Sequence, residues 1–173
     1  RANQIVPGAD SVSSFHADAC ELVEGRLAEP LRKADLVVDA STTLEYPRLS
    51  SEHDDASRHV SVFLTPSGSG SVLLLEDAKR EIRLRTLEAQ YYRAVIQQPW
   101  GADHLAGSLG TFWSGAGCRD ISVVMPYTAV MAHSSNLAAH VQRLSLESEP
   151  AIRIWTRNVD GSVQGHNCDV HGE

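Results

Sequence analysis

A carboxylate at the end of an apolar run is the first feature of this sequence that could do chemistry. Asp39 follows the run Leu36-Val-Val38, and small and hydroxyl residues come directly after it. We predict that the run is a buried strand of a parallel pair, because open α/β sheets bind their ligands outside the carboxyl ends of such strands. Asp39 is therefore a candidate binding residue. The alternative is that its carboxylate caps the helix that follows, and the sequence leaves both interpretations open.

A cysteine framed by glycines is the second candidate. Cys118 lies in the segment Ser114-Gly-Ala-Gly-Cys-Arg-Asp120, beside Arg119. A neighbouring cation favours the thiolate, which is the nucleophilic form of the side chain. Small neighbours leave the sulfur accessible, so the segment suits a group-transfer cysteine. A structural role for Cys118 is equally open at this point.

Two other motifs carry less chemistry. Gly68-Ser-Gly70 is followed by the apolar run Val72–Leu75 rather than by a helix, which favours a connection between strands over a dinucleotide loop. The tail 165–171 holds two histidines, a cysteine and an aspartate, but it lacks the paired ligands typical of structural zinc sites. We predict a solvated tail and no metal site, and the remaining histidines suggest no triad.

The elements that must position these residues alternate between strand and helix patterns. This alternation predicts an α/β fold with a Rossmann-like mixed sheet flanked by helices. We predict residues 1–98 as half of such a domain, and residues 99–173 as a cysteine-bearing loop, a helix and a terminal hairpin packed on it. Strands are expected at 35–39, 59–64, 71–75, 81–85, 121–125 and 151–155, the last with a partner strand after Gly161. Three helices are expected: one at 42–51, one that begins with Thr86 as its N-cap, and one that begins near Pro126.

Composition narrows the class of protein. The chain has 173 residues, 42% of them hydrophobic, and a formal net charge of −7. It shows no dense basic cluster, so we do not expect nucleic acid as a partner. Its apolar runs are far shorter than the roughly 20 residues that span a bilayer. Three widely spaced cysteines form no disulfide framework, which favours the reducing cytoplasm.

Several of these segments together resemble a known family. The run Ala34-Asp-Leu-Val-Val-Asp-Ala-Ser41, then Arg48, then Ser61-Val-Phe-Leu-Thr-Pro66, resembles the ThiF/MoeB-type adenylyltransferases, bacterial relatives of ubiquitin-activating enzymes. The segments Thr86–Arg93 and Gly115–Asp120 are similar to branches found in bacterial ubiquitin-like conjugation and antiphage-defence operons. Members of those branches are often fused to conjugating-enzyme-like or JAB-type peptidase domains.

The resemblance implies a function and a site. Such enzymes bind ATP and magnesium, adenylate the C-terminal glycine of a ubiquitin-like or sulfur-carrier protein, and in many cases capture the acyl group on a cysteine. It implies cofactor binding at Asp39, Ser41 and Thr42, acyl transfer at Cys118, and a homodimer. Thr42 stands where the family usually has a magnesium-binding aspartate, and no glycine-rich phosphate loop precedes Asp39. We therefore expect a sheet incomplete at its N-terminal side, from the C-terminal portion of a larger enzyme not active alone.

Two alternatives remain from the sequence. One is a non-catalytic interaction module that holds a partner protein with the same sheet and the Trp100/Trp113 loop. The other is a fragment of a nicotinamide-dependent oxidoreductase, in which Asp39 would contact a ribose.

Overall fold

The computed structural model describes most of the chain. The described residues are 13–21, 25–41, 43–102, 104–105, 111–113, 121–123 and 125–172, with backbone alone at 111–113 and 121–123. Four helices and seven strands lie within them, with one turn of 3₁₀ helix at Pro99–Gly101. In chain order they are α1 (Ala28–Lys33), β1 (Val37–Asp39), α2 (Glu45–Glu52), β2 (His59–Leu64), β3 (Gly70–Leu75), α3 (Leu84–Gln97), β4 (Thr111–Trp113), β5 (Ile121–Val123), α4 (Tyr127–Leu144), β6 (Ala151–Arg157) and β7 (Val163–Cys168).

Five of these strands form one mixed sheet in the order β1-β2-β3-β6-β7. β1 and β2, which α2 connects along the chain, run parallel, whereas the other three pairs of neighbouring strands are antiparallel. β4 and β5 form a separate two-stranded ribbon. The predicted α/β class, a Rossmann-like mixed sheet flanked by helices, is confirmed. Strands from both predicted ranges, 1–98 and 99–173, belong to this sheet, and the division between the ranges stays a prediction.

The centre of the sheet is buried on both faces. Every residue of β3 is buried, as its apolar sequence requires. Val72 and Leu74 pack with Leu87 and Tyr91 of α3 on one face. On the other face, Leu73 packs with residues of α4 and β6. α3 and α4 therefore pack on opposite faces of the central strands. The end of β1 is held instead by the loop that follows it.

The segment 81–85 is not the strand that its alternating pattern predicted. Asp77 accepts hydrogen bonds from the backbone amides of Lys79 and Ile82, at 3.0 and 2.6 Å, and so folds the segment into a loop. α3 then begins at Leu84, and Thr86 is not its N-cap. The amides of Leu84 and Arg85 donate instead to Glu76 Oε1 and Ser51 Oγ, at 3.0 and 3.1 Å. Tertiary contacts thus satisfy the free amides of this helix start.

A buried ion pair holds the connection from β3 to α3. Glu76 accepts from Arg80 Nε at 2.8 Å and from the amide of His59 at 2.9 Å. The guanidinium of Arg80 also donates to the carbonyls of Ser50, His53 and Ala56. Arg80 has a φ of 57°, and this set of bonds offsets the strain of that conformation.

The helices of the described part include none that is both long and apolar enough to cross a membrane.

Candidate functional site

Asp39 lies at the carboxyl end of β1, where its register partner across the parallel pair is Ser61 of β2. Its side chain is buried, with the residue only 5% exposed. One carboxylate oxygen accepts from the amide and the hydroxyl of Ser41, at 3.1 and 2.6 Å. The other accepts from the Ser61 hydroxyl at 2.8 Å. The carboxylate therefore closes the loop after β1 and ties it to β2.

The helix-cap interpretation of Asp39 is wrong. α2 begins at Glu45, its N-cap is Leu44, and no side chain donates or accepts at that cap. The Asp39 carboxylate instead forms a local turn with Ser41, as aspartates do when the backbone leaves a strand. The Ser41 hydroxyl continues the chain of hydrogen bonds to Thr43 Oγ1 at 2.9 Å. Thr42, between them, lies outside the described residues.

A cleft of about 450 Å³ opens against this loop. Three of its lining residues are acidic, namely Asp18, Asp39 and Glu45, and its described lining contains no lysine or arginine. Cys20 also lines it, and burial together with the carboxylates of Asp18 and Glu45 raises the pKa of the Cys20 thiol. The cleft is thus an acidic environment that disfavours a thiolate and any further negative charge.

A buried tyrosine–histidine pair lies next to the Asp39 loop. The Tyr46 hydroxyl and His59 Nε2 are 2.8 Å apart, and His59 Nδ1 is 2.6 Å from the carbonyl of Ser57. Since a carbonyl only accepts, Nδ1 carries the proton and Nε2 accepts from Tyr46. Burial and the nearby Asp39 carboxylate raise the pKa of Tyr46 to about 12, and burial lowers the pKa of His59. Both side chains are therefore neutral near pH 7 and act as structural support for the loop.

A second cleft, of about 210 Å³, is lined by Ser61, and Thr43 lines both clefts. Its walls are mainly apolar, with Phe63, Leu74 and Tyr92 among them, and Glu88 stands at its polar side. Arg48, one of the residues that carried the family resemblance, donates to both oxygens of Glu88 at 2.9 and 2.7 Å. Arg48 is therefore engaged by this carboxylate in the described structure.

The chemistry of the acidic cleft fits a sugar hydroxyl and does not fit a triphosphate. A carboxylate offers about four acceptor positions, and the three hydrogen bonds to Asp39 leave one for a hydroxyl donor. Phosphates require cations or free amide groups, and the described lining supplies no cation. The described part of the chain also holds no group of three histidine, cysteine or acidic side chains that could bind a metal ion.

The other sequence-predicted features are placed only in part. Cys118 and its glycine-rich segment lie outside the described residues, so its role stays a prediction. Gly68 lies in the connection between the antiparallel strands β2 and β3, as predicted, and Gly70 is the first residue of β3. The tail keeps its residues exposed or half-buried, as a solvated segment does, but residues up to Cys168 are ordered as β7, where His166 is 2.8 Å from Thr156 Oγ1 and stacks on Trp100.

Sequence reasoning missed the partners of the buried polar residues. Ser61, which binds Asp39, follows a valine in a strand and gives no local sign of its role. His104 and His133 are almost fully buried, and they lie 3.0 Å from the hydroxyls of Tyr91 and Ser71 respectively. Glu76, an acid directly after three leucines, was the one signal that could have indicated the buried pair with Arg80.

Comparison with known proteins assigns no family to this chain: no family model matches it, and no curated protein matches its sequence. The site therefore rests on its own geometry and on the motif resemblance described above.

Proposed function

We propose that this chain is part of a ThiF-like enzyme that activates the C-terminus of a ubiquitin-like or sulfur-carrier protein by ATP-dependent adenylation. In this proposal the chain works in the cytoplasm, Cys118 accepts the acyl group as a thioester, and Asp39 with Ser41 and Thr42 forms the nucleoside side of the cofactor site. One observation carries the proposal. The buried Asp39 carboxylate closes a parallel strand at the mouth of a cleft, with one acceptor position left for a hydroxyl.

The same site sets a limit on the proposal. Because the described lining of the cleft is acidic and holds no cation, the phosphates and magnesium must bind groups outside that lining, for example in a longer protein. The conjugating-enzyme-like or JAB-type domains and the homodimer implied by the resemblance belong to the same proposal.

The first experiment is a calorimetric titration of ATP with magnesium into the protein that contains this chain, as wild type and as Asp39→Asn. We expect the variant to bind at least about tenfold more weakly, because a hydrogen bond to a charged group contributes roughly 1.5–3 kcal/mol. Asp55→Asn is the matched control, since Asp55 is an exposed aspartate that does not line the cleft and is paired at the surface with Arg32. No binding by the wild type, or equal binding by the Asp39→Asn variant, would refute the proposed site.

A second function has its own supporting observation. The acidic cleft lacks a cation in its described lining, and the neighbouring cleft lined by Ser61 is mainly apolar, which together favour an interaction module that holds a partner protein. The titration separates the two functions, because an interaction module would bind neither ATP nor adenosine. A wild-type protein that binds its carrier without nucleotide would support the module.

A further inference from the structure

Three arginines lie on the α4 side of the sheet, away from Asp39: two on β6 and one on α4 itself. Arg153, Trp155 and Arg157 are every second residue of β6, so their side chains leave the same face of the strand. The opposite face carries Ile152 and Ile154, which pack in the core under α3. The arginine face therefore lies on the side of α4, three strands away from β1 in the sheet order.

α4 adds two residues to this surface. The ring of His140 lies on Trp155, with the ring centroids 4.5 Å apart. Arg143 Nη2 is 3.3 Å from His140 Nδ1, and the arginine can only donate. His140 Nδ1 therefore accepts and the ring is neutral. We call Arg143, Arg153, Arg157 and His140 the arginine surface.

The positive charge of the arginine surface is largely uncompensated. Neither Arg153 nor Arg157 forms an ion pair with the described residues, and Arg143 has only a 4.0 Å contact with the exposed carboxylate of Glu147. By contrast, six other cationic side chains pair with carboxylates at 3.6 Å or closer, namely Arg32, Lys33, Arg48, Arg80, Arg83 and Arg85. In a protein of net charge −7, an unpaired group of guanidinium ions is a place where an anion can bind.

Arg153 and Arg157 are half-buried, and the neighbouring strand brings no charge to them. β7 lies beside β6 with Gly165 opposite Trp155, and a Cβ at Gly165 would come within 3.4 Å of the indole. Asn167 and Val163 lie opposite Arg153 and Arg157, and neither carries a charge. The neighbouring strand thus covers Trp155 and leaves the flanking guanidinium groups without a carboxylate.

We propose that the arginine surface binds an extended acidic segment of a partner protein. Arg153 and Arg157 are about 13 Å apart along the strand, at roughly 3.3 Å per residue, and side chains four residues apart on one face of an extended peptide have the same spacing. Guanidinium groups bind carboxylates through paired hydrogen bonds, which gives such a segment direction as well as affinity. This inference does not depend on the Asp39 site.

Nucleic acid fits the surface less well. Bases bind by stacking on exposed aromatic rings, and Trp155 is only 7% exposed. A nucleic acid also extends its charge beyond a short patch, here onto a molecule whose net charge repels it. A short acidic peptide segment need contact only the arginine surface.

His140 gives the test a direct readout. Burial lowers the pKa of His140, and the charges of Arg143 and Arg153 lower it further. Of the charged groups around it, Arg143 lies on α4, Arg153 lies on β6, and Glu147 reaches Arg143 from the end of the helix. A carboxylate bound between the arginines offsets their repulsion of a proton, so binding must raise the pKa of His140.

The experiment follows the ring protons of His140 by NMR against pH, without and with a peptide of alternating glutamate and serine. We expect the pKa of His140 to rise when the peptide is present, and the affinity to fall as salt is added. A peptide of alternating lysine and serine must give no shift. An unchanged His140 pKa overturns the proposal without any variant, so a folding defect cannot obscure the result.

Variants then locate the binding. We expect the double variant Arg153→Gln/Arg157→Gln to bind the acidic peptide at least about fivefold more weakly, while Arg93→Gln binds like the wild type. Arg93 is the matched control because it is exposed on α3, on the other face of the sheet, with no ion pair to a described residue. Equal loss in both variants overturns the proposal. So does an equal His140 shift with inorganic phosphate alone, which would mark an adventitious ion only, or tighter binding of a single-stranded oligonucleotide.

Discussion

The Asp39 carboxylate accepts hydrogen bonds from the loop that follows it. Its two oxygens receive three hydrogen bonds from Ser41 and Ser61, so the carboxylate fixes where β1 ends before any ligand is considered. A residue that holds a loop in this way can also present it to a ligand, because the loop's hydroxyl groups are already oriented. The structural and the proposed binding roles of Asp39 are therefore compatible.

The proposed acyl acceptor can be tested against a cysteine that the structure does describe. We expect Cys118→Ala to abolish any thiol-sensitive conjugate between this protein and its carrier, because no thiolate would remain to displace the nucleotide. Cys20→Ala should leave the conjugate intact, since burial and the carboxylates around it raise the pKa of the Cys20 thiol. The measurement is non-reducing gel electrophoresis with and without added thiol. An undiminished conjugate in the Cys118 variant removes that role.

The sequence predicts the candidate site only in part, at this scale of single residues. Asp39 could be found because a carboxylate after an apolar run marks a strand end. Ser61 and Tyr46 could not be found in this way, because their partners come from elements far along the chain. The same holds for the buried histidines, whose hydroxyl partners lie 13 and 62 positions away.

At the scale of elements, Arg58 joins three parts of the fold. Its guanidinium donates to the carbonyl of Glu76 at 2.8 Å, just after β3. It also donates to the carbonyls of Ser145, Glu147 and Glu149, in the turn that leads from α4 to β6. One side chain thus satisfies free carbonyl groups at the end of α4 and holds that end against the sheet.

We expect Arg58→Ala to lower the free energy of unfolding by about 2 kcal/mol or more, because several charge-assisted hydrogen bonds are lost together. The comparison variant is Arg85→Ala, whose ion pair with Glu52 is exposed and should contribute less than about 1 kcal/mol. Urea denaturation at constant pH measures both. Similar losses in the two variants would show that Arg58 does not join the elements as described.

The elements themselves were more predictable than their ends. β2 and the hairpin of β6 and β7 agree with the apolar runs and the turn residues of the sequence. The prediction of a strand at 81–85 was wrong because alternation over five residues also suits a loop entering a helix. The loop forms because the carboxylates of Asp77 and Glu76 accept hydrogen bonds from the backbone amides of that segment. Such contacts depend on the folded chain and leave no periodic signal.

At the scale of the whole molecule, buried neutral histidines make stability depend on pH. His59, His104 and His133 are each 2% exposed or less, and burial lowers the pKa of all three. The unfolded chain therefore binds more protons than the folded protein once the pH falls below the ordinary histidine pKa of about 6.5. Their contribution to stability is complete above that pH and is lost as the pH falls toward the lowered values of the folded state.

We expect the free energy of unfolding to fall between pH 6.5 and 5, by about 1.4 kcal/mol per pH unit for each histidine that takes up a proton on unfolding. Urea denaturation at a series of pH values measures this slope. His133→Asn should reduce the slope, whereas His16→Gln should keep it, because His16 is exposed. A stability that does not change over this range would contradict the assignment of the three rings as neutral.

The place of β6 in the sheet has a consequence for how the chain folds. β6 pairs with β3 along the whole length of β3, with Leu75 opposite Ala151 and Gly70 opposite Thr156, so the middle of the sheet joins distant parts of the sequence. Contacts between distant residues form slowly, because a long loop must close first. During synthesis, this edge of the apolar strand β3 cannot pair until β6 has left the ribosome. A chain that stops before β6 would expose that edge, and unpaired apolar edges recruit other strands and aggregate.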